Sequence, residues 1–416
     1  MKSVLYISRA GLPIDATGVR IAAVGRILAK LEYNVHYVCE RRVDAQIESS
    51  DFKKLTMGEA DKIQDVYLSK KEEHYFSSGF VYSYLPAHSG KKKDAVMDTI
   101  EIYRARHAFM RVTEIAEKEH TDIIILYNDV YGLTKRLLPY CRKNGITLLA
   151  DVTEWYEKKK SGSFAEKMVV DLTDKRIRKL DRNLDGIFSI SPYFRDYYER
   201  LGVKTILVPP LMDIDDDYRS VEKRDVSTEI RFVYAGSPGG KDIVIPFVKA
   251  IIESNLKERR LRLDLIGIGG DFLKQKGIMN IGDETGVYAH GRLSHEKTVD
   301  YVRQADFGFL FRHNQRYAKA GFSTKFSECM SFGTAMICNK IGGTDVFIEN
   351  GLDGFVLEDI REETLAEFLE KLVKLERSEI EAIKERAKDK ARQIFHADNY
   401  LQPIKDFLGE VDKSEC

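Results

Sequence analysis

The 416-residue chain has no excess of charge, no cysteine cluster and no long apolar run. Its 66 basic and 66 acidic residues cancel to a formal net charge of zero. A general nucleic-acid binder needs a broad cationic surface, so no nucleic-acid partner is expected. No apolar run approaches the roughly 18 residues that suggest a membrane-spanning helix. The opening residues Met1-Lys2-Ser3-Val4-Leu5-Tyr6-Ile7-Ser8 read as a first strand, with an apolar run too short for a signal peptide. The five cysteines (Cys39, Cys141, Cys329, Cys338 and Cys416) are scattered, odd in number and form no CxxC. That pattern argues against a disulfide framework and a structural zinc site, and a reducing cytoplasm is the expected compartment. The GxGxxG of a dinucleotide fingerprint is also missing.

What is present is alternation. A chain of this length exceeds one ordinary core, so two domains are expected. Residues 4–7 suit a buried strand, residues 19–31 a helix with Ile21, Val24, Ile27, Leu28 and Leu31 on one face, and residues 35–39 a second strand. Strand, glycine-bearing loop, helix, strand is a βαβ unit of a parallel sheet. Gly18, near the start of that helix, suits either the approach of a phosphate to backbone or tight packing. Further strands are expected at 80–85, 123–127, 146–152, 186–190 and 205–208. The highly charged residues 41–75 have no clear period. Lys91-Lys92-Lys93 and a helix over 104–119, with basic residues beside Phe109 and Met110, suit a membrane-surface contact or a solvated helix. Pro209-Pro210 and the acidic Asp215-Asp216-Asp217 mark a linker, and the acids read as solvated charge with no histidine nearby.

A second series follows. Strands are expected at 230–234, 261–266, 287–290, 305–311, 334–338 and 354–357. Helices are expected over 242–254 and 294–304, with two more within 362–394 and a terminal one over 395–408. Between two apolar runs lies Ala320-Gly321-Phe322-Ser323-Thr324-Lys325-Phe326-Ser327-Glu328-Cys329-Met330-Ser331-Phe332-Gly333. The small residues from Gly321 on lead into a short helix that Gly333 ends. The start of such a helix offers backbone N–H groups and the positive end of a dipole, a ready anion site. Glu328, about one turn in, suits recognition of hydroxyls. A phosphate cradle beside such a carboxylate suits a nucleotide-sugar; an ordinary capped helix is the plain alternative.

The order and spacing of several segments resemble the retaining glycosyltransferases of family 4 (glycosyltransferase group 1), over most of the chain. The matching segments begin with Gly18 and its helix, Ala150-Asp151-Val152-Thr153-Glu154-Trp155-Tyr156, Ser189-Ile190-Ser191 and Val208-Pro209-Pro210. They continue with Tyr234-Ala235-Gly236-Ser237 and Lys241, Leu265-Ile266-Gly267, His290-Gly291-Arg292 and the stretch ending at Gly333. The last are Asn339-Lys340-Ile341-Gly342-Gly343-Thr344-Asp345 and Glu349-Asn350-Gly351-Leu352-Asp353-Gly354. The resemblance implies an α/β fold of two Rossmann-like domains facing across a cleft (GT-B). Residues 1–208, with the terminal helix of 395–416 packing back on them, would bind acceptor. Residues 225–394 would bind the nucleotide-sugar donor.

The resemblance also implies roles. Lys241 would neutralise the donor diphosphate, and Ser237 stands where many members carry an arginine. Gly321, Phe322, Ser323 and Thr324 would hold the phosphates with Lys325 nearby. His290 and Arg292 would flank the base, and Glu328 would bind the ribose. The partner glutamate of the family's E-x7-E pattern falls at Ala320, a departure that leaves the donor sugar open. Asp151 and Glu154 stand where many members place a histidine, with a structural and a catalytic role both open. The implied activity is metal-independent transfer of a hexose-type sugar, with retention and no cofactor, to a glycan or lipid-linked acceptor of surface polysaccharide synthesis. The implied location is cytoplasmic, with peripheral contact at the inner face of the membrane as an open addition. Rival readings are a non-catalytic partner subunit, supported by Ala320, a nucleotide-sugar epimerase, and an oxidoreductase, which the missing fingerprint disfavours.

Overall fold

The computed structural model describes residues 1–8, 16–39, 67–68, 74–77, 80–84, 103–129, 131–158, 163–212, 229–257 and 260–413. Lys91-Lys92-Lys93, Asp215-Asp216-Asp217 and nearly all of 41–75 lie outside these residues. The chain divides into two compact units, Met1–Leu211 with Ala397–Cys416, and Met212–His396.

Among the described residues, the first unit is built on a nine-stranded sheet. Its strands are β1 (Ser3–Ser8), β2 (Asn34–Cys39), β3 (Tyr67–Leu68), β4 (His74–Ser77), β5 (Phe80–Tyr84), β6 (Ile123–Tyr127), β7 (Thr147–Val152), β8 (Gly186–Ser189) and β9 (Thr205–Leu207). They lie in the order β3-β4-β5-β2-β1-β6-β7-β8-β9. All neighbours pair parallel except β3 with β4 and β4 with β5. β1 and β6 are buried along their whole length, as strands covered on both faces must be. The helices are α1 (Ala16–Lys30), α2 (Arg106–Lys118), α3 (Tyr131–Asn144), α4 (Phe164–Lys179) and α5 (Pro192–Glu199). Ser163 and Glu166 form a reciprocal capping box that starts α4, and Ser191 caps α5 just before Pro192.

The second unit has a six-stranded sheet of β10 (Ile230–Ala235), β11 (Leu261–Ile266), β12 (Val287–Gly291), β13 (Phe307–Leu310), β14 (Ala335–Asn339) and β15 (Gly354–Leu357). Its order is β12-β11-β10-β13-β14-β15, parallel throughout. The helices are α6 (Ile245–Lys257), α7 (Gly270–Gln275), α8 (His295–Gln304), α9 (Arg316–Ala320), α10 (Thr324–Ser331), α11 (Glu362–Leu372) and α12 (Arg377–Phe395). Phe232, Phe247, Phe307, Phe309 and Phe311 centre the core, with Phe247 and Phe309 ring centroids 4.6 Å apart.

Several boundaries shift from the sequence reading, and two of the shifts have a visible cause. The expected helix at 242 starts only at Ile245, because Asp242 is drawn into a bridge with Arg312 and the Ile243 amide donates to the Phe311 carbonyl at 2.8 Å. Phe395 ends α12 rather than opening the terminal helix. It continues the buried series Ile380, Ile383, Ala387, Ala391, a helical repeat that carries its ring onto Phe322 and Phe347. A 3-10 turn (Ala397–Tyr400) then leads into α13 (Leu401–Val411). α13 returns to the first unit, where Ile404, Phe407, Leu408 and Val411 join the core with Val4, Tyr6 and Phe188.

Candidate functional site

In the second unit, three adjacent strands end in glycines with left-handed backbone: Gly236 after β10 (φ 133°), Gly267 after β11 (φ 84°) and Gly291 at the end of β12 (φ 64°). The Gly236 amide donates to Ile266 and the Gly267 amide to Gly291, at 2.9 and 2.6 Å. A Cβ on Gly267 would stand 2.7 Å from the Gly236 carbonyl oxygen, so only glycine lets these turns lie side by side. The carboxyl ends of parallel strands are where open α/β sheets bind ligands.

Ser237 is exposed in the turn that follows β10, and Lys241 is half-buried at its far end. The Lys241 amide donates to Pro238 at 3.1 Å, and its carbonyl accepts the Tyr317 hydroxyl from α9 at 2.9 Å. Arg292 is exposed. His290 is half-buried, with Nε2 2.8 Å from an Asp264 carboxylate oxygen and its ring centroid 4.5 Å from that of Tyr301.

α10 is short, and its ends explain why. The Gly333 amide reaches Met330 at 3.0 Å and the Thr334 amide reaches Cys329 at 2.9 Å, a paired closure that needs the left-handed Gly333 (φ 77°). At the other end Ser323 occupies the cap position, yet its side chain does not cap the helix. The first turn contains no acid, so backbone N–H groups and the helix dipole give this end positive character. Phe322 is pinned against Phe326, Phe347 and Phe395, which fixes the backbone between Gly321 and Thr324. Ala320 is completely buried at the end of α9.

Glu328 is half-buried on α10. Burial pushes its carboxyl above the usual range, against the opposing pull of His295 and Lys325. Lys325 donates to an Asp242 carboxylate oxygen at 2.6 Å and to the Tyr234 hydroxyl at 2.8 Å. Arg312 Nε donates to the other Asp242 oxygen at 2.9 Å. Burial alone would raise the Asp242 carboxyl, but the two cations outweigh it and hold it below the usual range. Burial pushes the Lys325 ammonium below its ordinary value, and Asp242 opposes the shift. Asp242, Arg312 and His295 were not among the sequence candidates, and Tyr234 stood only in a matching segment with no role assigned. The only signal was a charge directly after an apolar run, as Arg312 follows Phe311, or directly after a candidate lysine, as Asp242 follows Lys241.

The remaining candidates belong to the first unit. Gly18 lies in the first turn of α1. Asp151, near the end of β7, is fully buried. It accepts the Tyr6 hydroxyl, and Arg20 Nη2 and Nε lie 2.6 and 3.0 Å from its oxygens. Arg20 also donates to the Val208 carbonyl at 2.7 Å and that of Pro209 at 3.2 Å. Arg20, another residue the sequence reading missed, thus ties α1 to β7 and to the chain leaving β9. Glu154 is exposed two residues beyond β7 and accepts the Tyr156 hydroxyl at 2.8 Å. Beside it, the Thr153 amide donates to the Asn128 side chain at 2.9 Å. Asn128, with φ 43°, turns the chain at the end of β6.

Two tandem α/β units, each on a sheet of mainly parallel strands with flanking helices, match the GT-B class of fold. Residues 232–390, the segment from β10 into α12, match the model of the family described as glycosyl transferases group 1. A sequence relative is an uncharacterized glycosyltransferase of Methanocaldococcus jannaschii, 24% identical over 168 residues, which are 40% of this chain and 41% of the relative. The match thus spans about two fifths of that relative's length. Among solved structures, sucrose-phosphate synthase of Thermosynechococcus elongatus is 14% identical with a TM-score of 0.68, covering 99% of each chain. Anabaena HepE, in complex with UDP-glucose, is 13% identical with a TM-score of 0.62, covering 98% of this chain and 100% of its own. WaaG, a glycosyltransferase involved in lipopolysaccharide biosynthesis, is 13% identical with a TM-score of 0.60, covering 97% and 98%. At these identities the structures establish the fold.

Proposed function

We propose that this protein transfers a hexose-type sugar from a nucleotide-diphosphate sugar to a glycan or lipid-linked acceptor, with retention, in surface polysaccharide synthesis. The observation that carries the reading is the positive end of α10 beside the Gly236 turn, with Lys325 between them and Glu328 one turn along. It falls inside the segment matched by the glycosyltransferase family. The backbone from Gly321 to Thr324 holds the diphosphate. Glu328 takes the ribose hydroxyls, and His290 and Arg292 flank the base. Lys241 stabilises the charge that grows on the departing diphosphate.

The transition state is oxocarbenium-like, and the leaving phosphate itself accepts the acceptor's proton on the same face. These cations supply the electrostatic stabilisation, so the reaction runs without metal or cofactor. Asp151 has its oxygens committed to Arg20 and Tyr6 and acts by holding α1, and Gly18 with it, against the sheet. Glu154, exposed at the end of β7, faces the acceptor. The protein works in the cytoplasm. The start of α2 and the residues just before it present exposed Tyr103, Arg104, Arg106, His107 and Met110, cationic and apolar together, which suits peripheral contact with an anionic membrane face.

A thermal-shift screen of uridine, guanosine and adenosine diphosphates, followed by transfer and hydrolysis assays with the matching nucleotide-sugars, tests the reading. Ligand at 100 times its dissociation constant stabilises by about 2.7 kcal/mol. No shift with any diphosphate would overturn it. The fully buried Ala320 favours a second reading, a nucleotide-sugar-binding partner subunit without activity. Wild-type protein that binds donor but is inactive, and that becomes active on Ala320→Glu, would establish that alternative.

A further inference from the structure

In the cluster of Lys325, Asp242, Arg312 and Tyr234 the cations outnumber the carboxylates. Two cations share one carboxylate. Burial, reinforced by Asp242, holds the Tyr234 phenol well above its usual range, so it adds no compensating charge. The excess is not spread evenly. The side chains of Asp242 and Arg312 are 4% and 9% exposed, whereas that of Lys325 is 22% exposed. Lys325 also lies in the first turn of α10, where a helix dipole favours an acid and disfavours a cation. Its ammonium reaches the glycine turn: a Cβ on Gly236 would stand 3.2 Å from Nζ. The residue after that turn glycine is the uncharged Ser237, so here the positive charge arrives from a different element. Lys325 and a helix N-terminus thus meet at this turn, while Lys325 shares its buried counter-ion Asp242 with Arg312, so an anion here would give Lys325 a partner of its own.

We propose that Lys325 is a specificity-determining residue that selects a diphosphate over a monophosphate. Asp242 is its counter-ion while the site is empty, and Arg312 fixes Asp242 in place. The proposal rests on the nucleotide-sugar reading and deepens it. When the diphosphate binds, its second phosphate takes over part of the Lys325 ammonium from Asp242, and no covalent bond is made or broken. Arg312 keeps Asp242 partnered throughout, so no buried carboxylate is left without a cation.

The test is titration of the full chain with uridine, guanosine and adenosine diphosphates and the matching monophosphates. It compares wild type, Lys325→Met, Lys325→Arg and Asp242→Asn. Wild type should prefer the diphosphate of its base over the monophosphate. Lys325→Met should cut that preference by about ten-fold or more while monophosphate affinity changes little, and Lys325→Arg should retain most of it. Asp242→Asn should strengthen diphosphate binding more than monophosphate binding, because it releases Lys325. Equal weakening of both nucleotides in Lys325→Met would mark a structural role and overturn the proposal. An unchanged preference in folded Lys325→Met, or weaker diphosphate binding in folded Asp242→Asn, would overturn it too. If Lys325→Met does not fold, the opposite shift expected of Asp242→Asn still decides. Absence of any nucleotide binding by wild type would overturn the nucleotide-sugar reading along with it; normal diphosphate binding with an unaltered preference would remove this proposal alone.

Discussion

Glu328 and Lys241 are half-buried charges of opposite sign, and the proposed chemistry asks different things of them. Burial raises the Glu328 carboxyl above the usual range, so the folded state holds its proton more tightly than the unfolded chain does. Stability from this group therefore falls as pH rises from the ordinary carboxylate value through the raised one. Glu328→Gln should remove that dependence and leave nucleotide-free stability at neutral pH unchanged or higher. Donor binding should weaken about ten- to a hundred-fold, since a hydrogen bond to a charged group contributes roughly 1.5–3 kcal/mol. Melting curves across acidic to neutral pH, with and without the diphosphate, check both halves. A variant less stable without nucleotide would make Glu328 a packing residue. In the proposed reaction Lys241 would instead face charge that grows in the transition state, and such interactions raise turnover. Lys241→Ala should lower the rate at saturating donor by about 100- to 1000-fold, more than Glu328→Gln does. The reverse order would exchange the two assignments.

At the scale of elements, α13 shows how a short helix is held by its neighbours. The Phe407 ring meets Phe188 of β8 edge-on at 5.3 Å. It also fills the place a side chain at Gly186 would take, since a Cβ there would lie 2.6 Å from it. Removing a buried phenyl ring costs about 3–5 kcal/mol, so Phe407→Ala should bring forward unfolding of the first unit in urea, followed by near-ultraviolet circular dichroism. An unchanged midpoint would mean that α13 contributes little to this core. The strands were the legible elements, because strands buried on both faces are short continuous apolar runs such as Ile123-Ile124-Ile125-Leu126-Tyr127. The 5-residue α9 and 6-residue α7 are too short to display a helical period. The Lys325 cluster was hidden for another reason. Lys325 and Asp242 are 83 positions apart, and only the sheet order β10-β13 brings the ends of their elements together. A sequence shows charged residues singly, whereas a fold decides which of them share a counter-ion.

For the whole molecule, a net charge of zero conceals local imbalance. The family pattern of spacing was legible because glycine turns and strand ends recur in a fixed order. The matched segment nevertheless stops short of the first unit, whose Arg20–Asp151 pair joins positions 131 residues apart and left no local pattern to read. The charge distribution leads to a prediction about metal. Among the described residues no group of three or more histidine, cysteine, aspartate or glutamate side chains is arranged to hold an ion. Asp242, the acid beside Lys241, is committed to Lys325 and Arg312, and those cations hold its carboxyl below the usual range in spite of burial. Its stabilising contribution is thus fully present above the ordinary carboxylate value and is lost only as pH falls through the depressed one. At neutral pH it remains an anion already partnered twice, a poor recruit for a further cation. The diphosphate would meet Lys241, Lys325 and the start of α10, all positive. Diphosphate binding and sugar transfer should therefore persist in EDTA within about two-fold, while both weaken as salt screens the partly exposed lysines. Complete loss of transfer on chelation, restored by manganese, would show that the anion is held through a metal rather than by these residues directly.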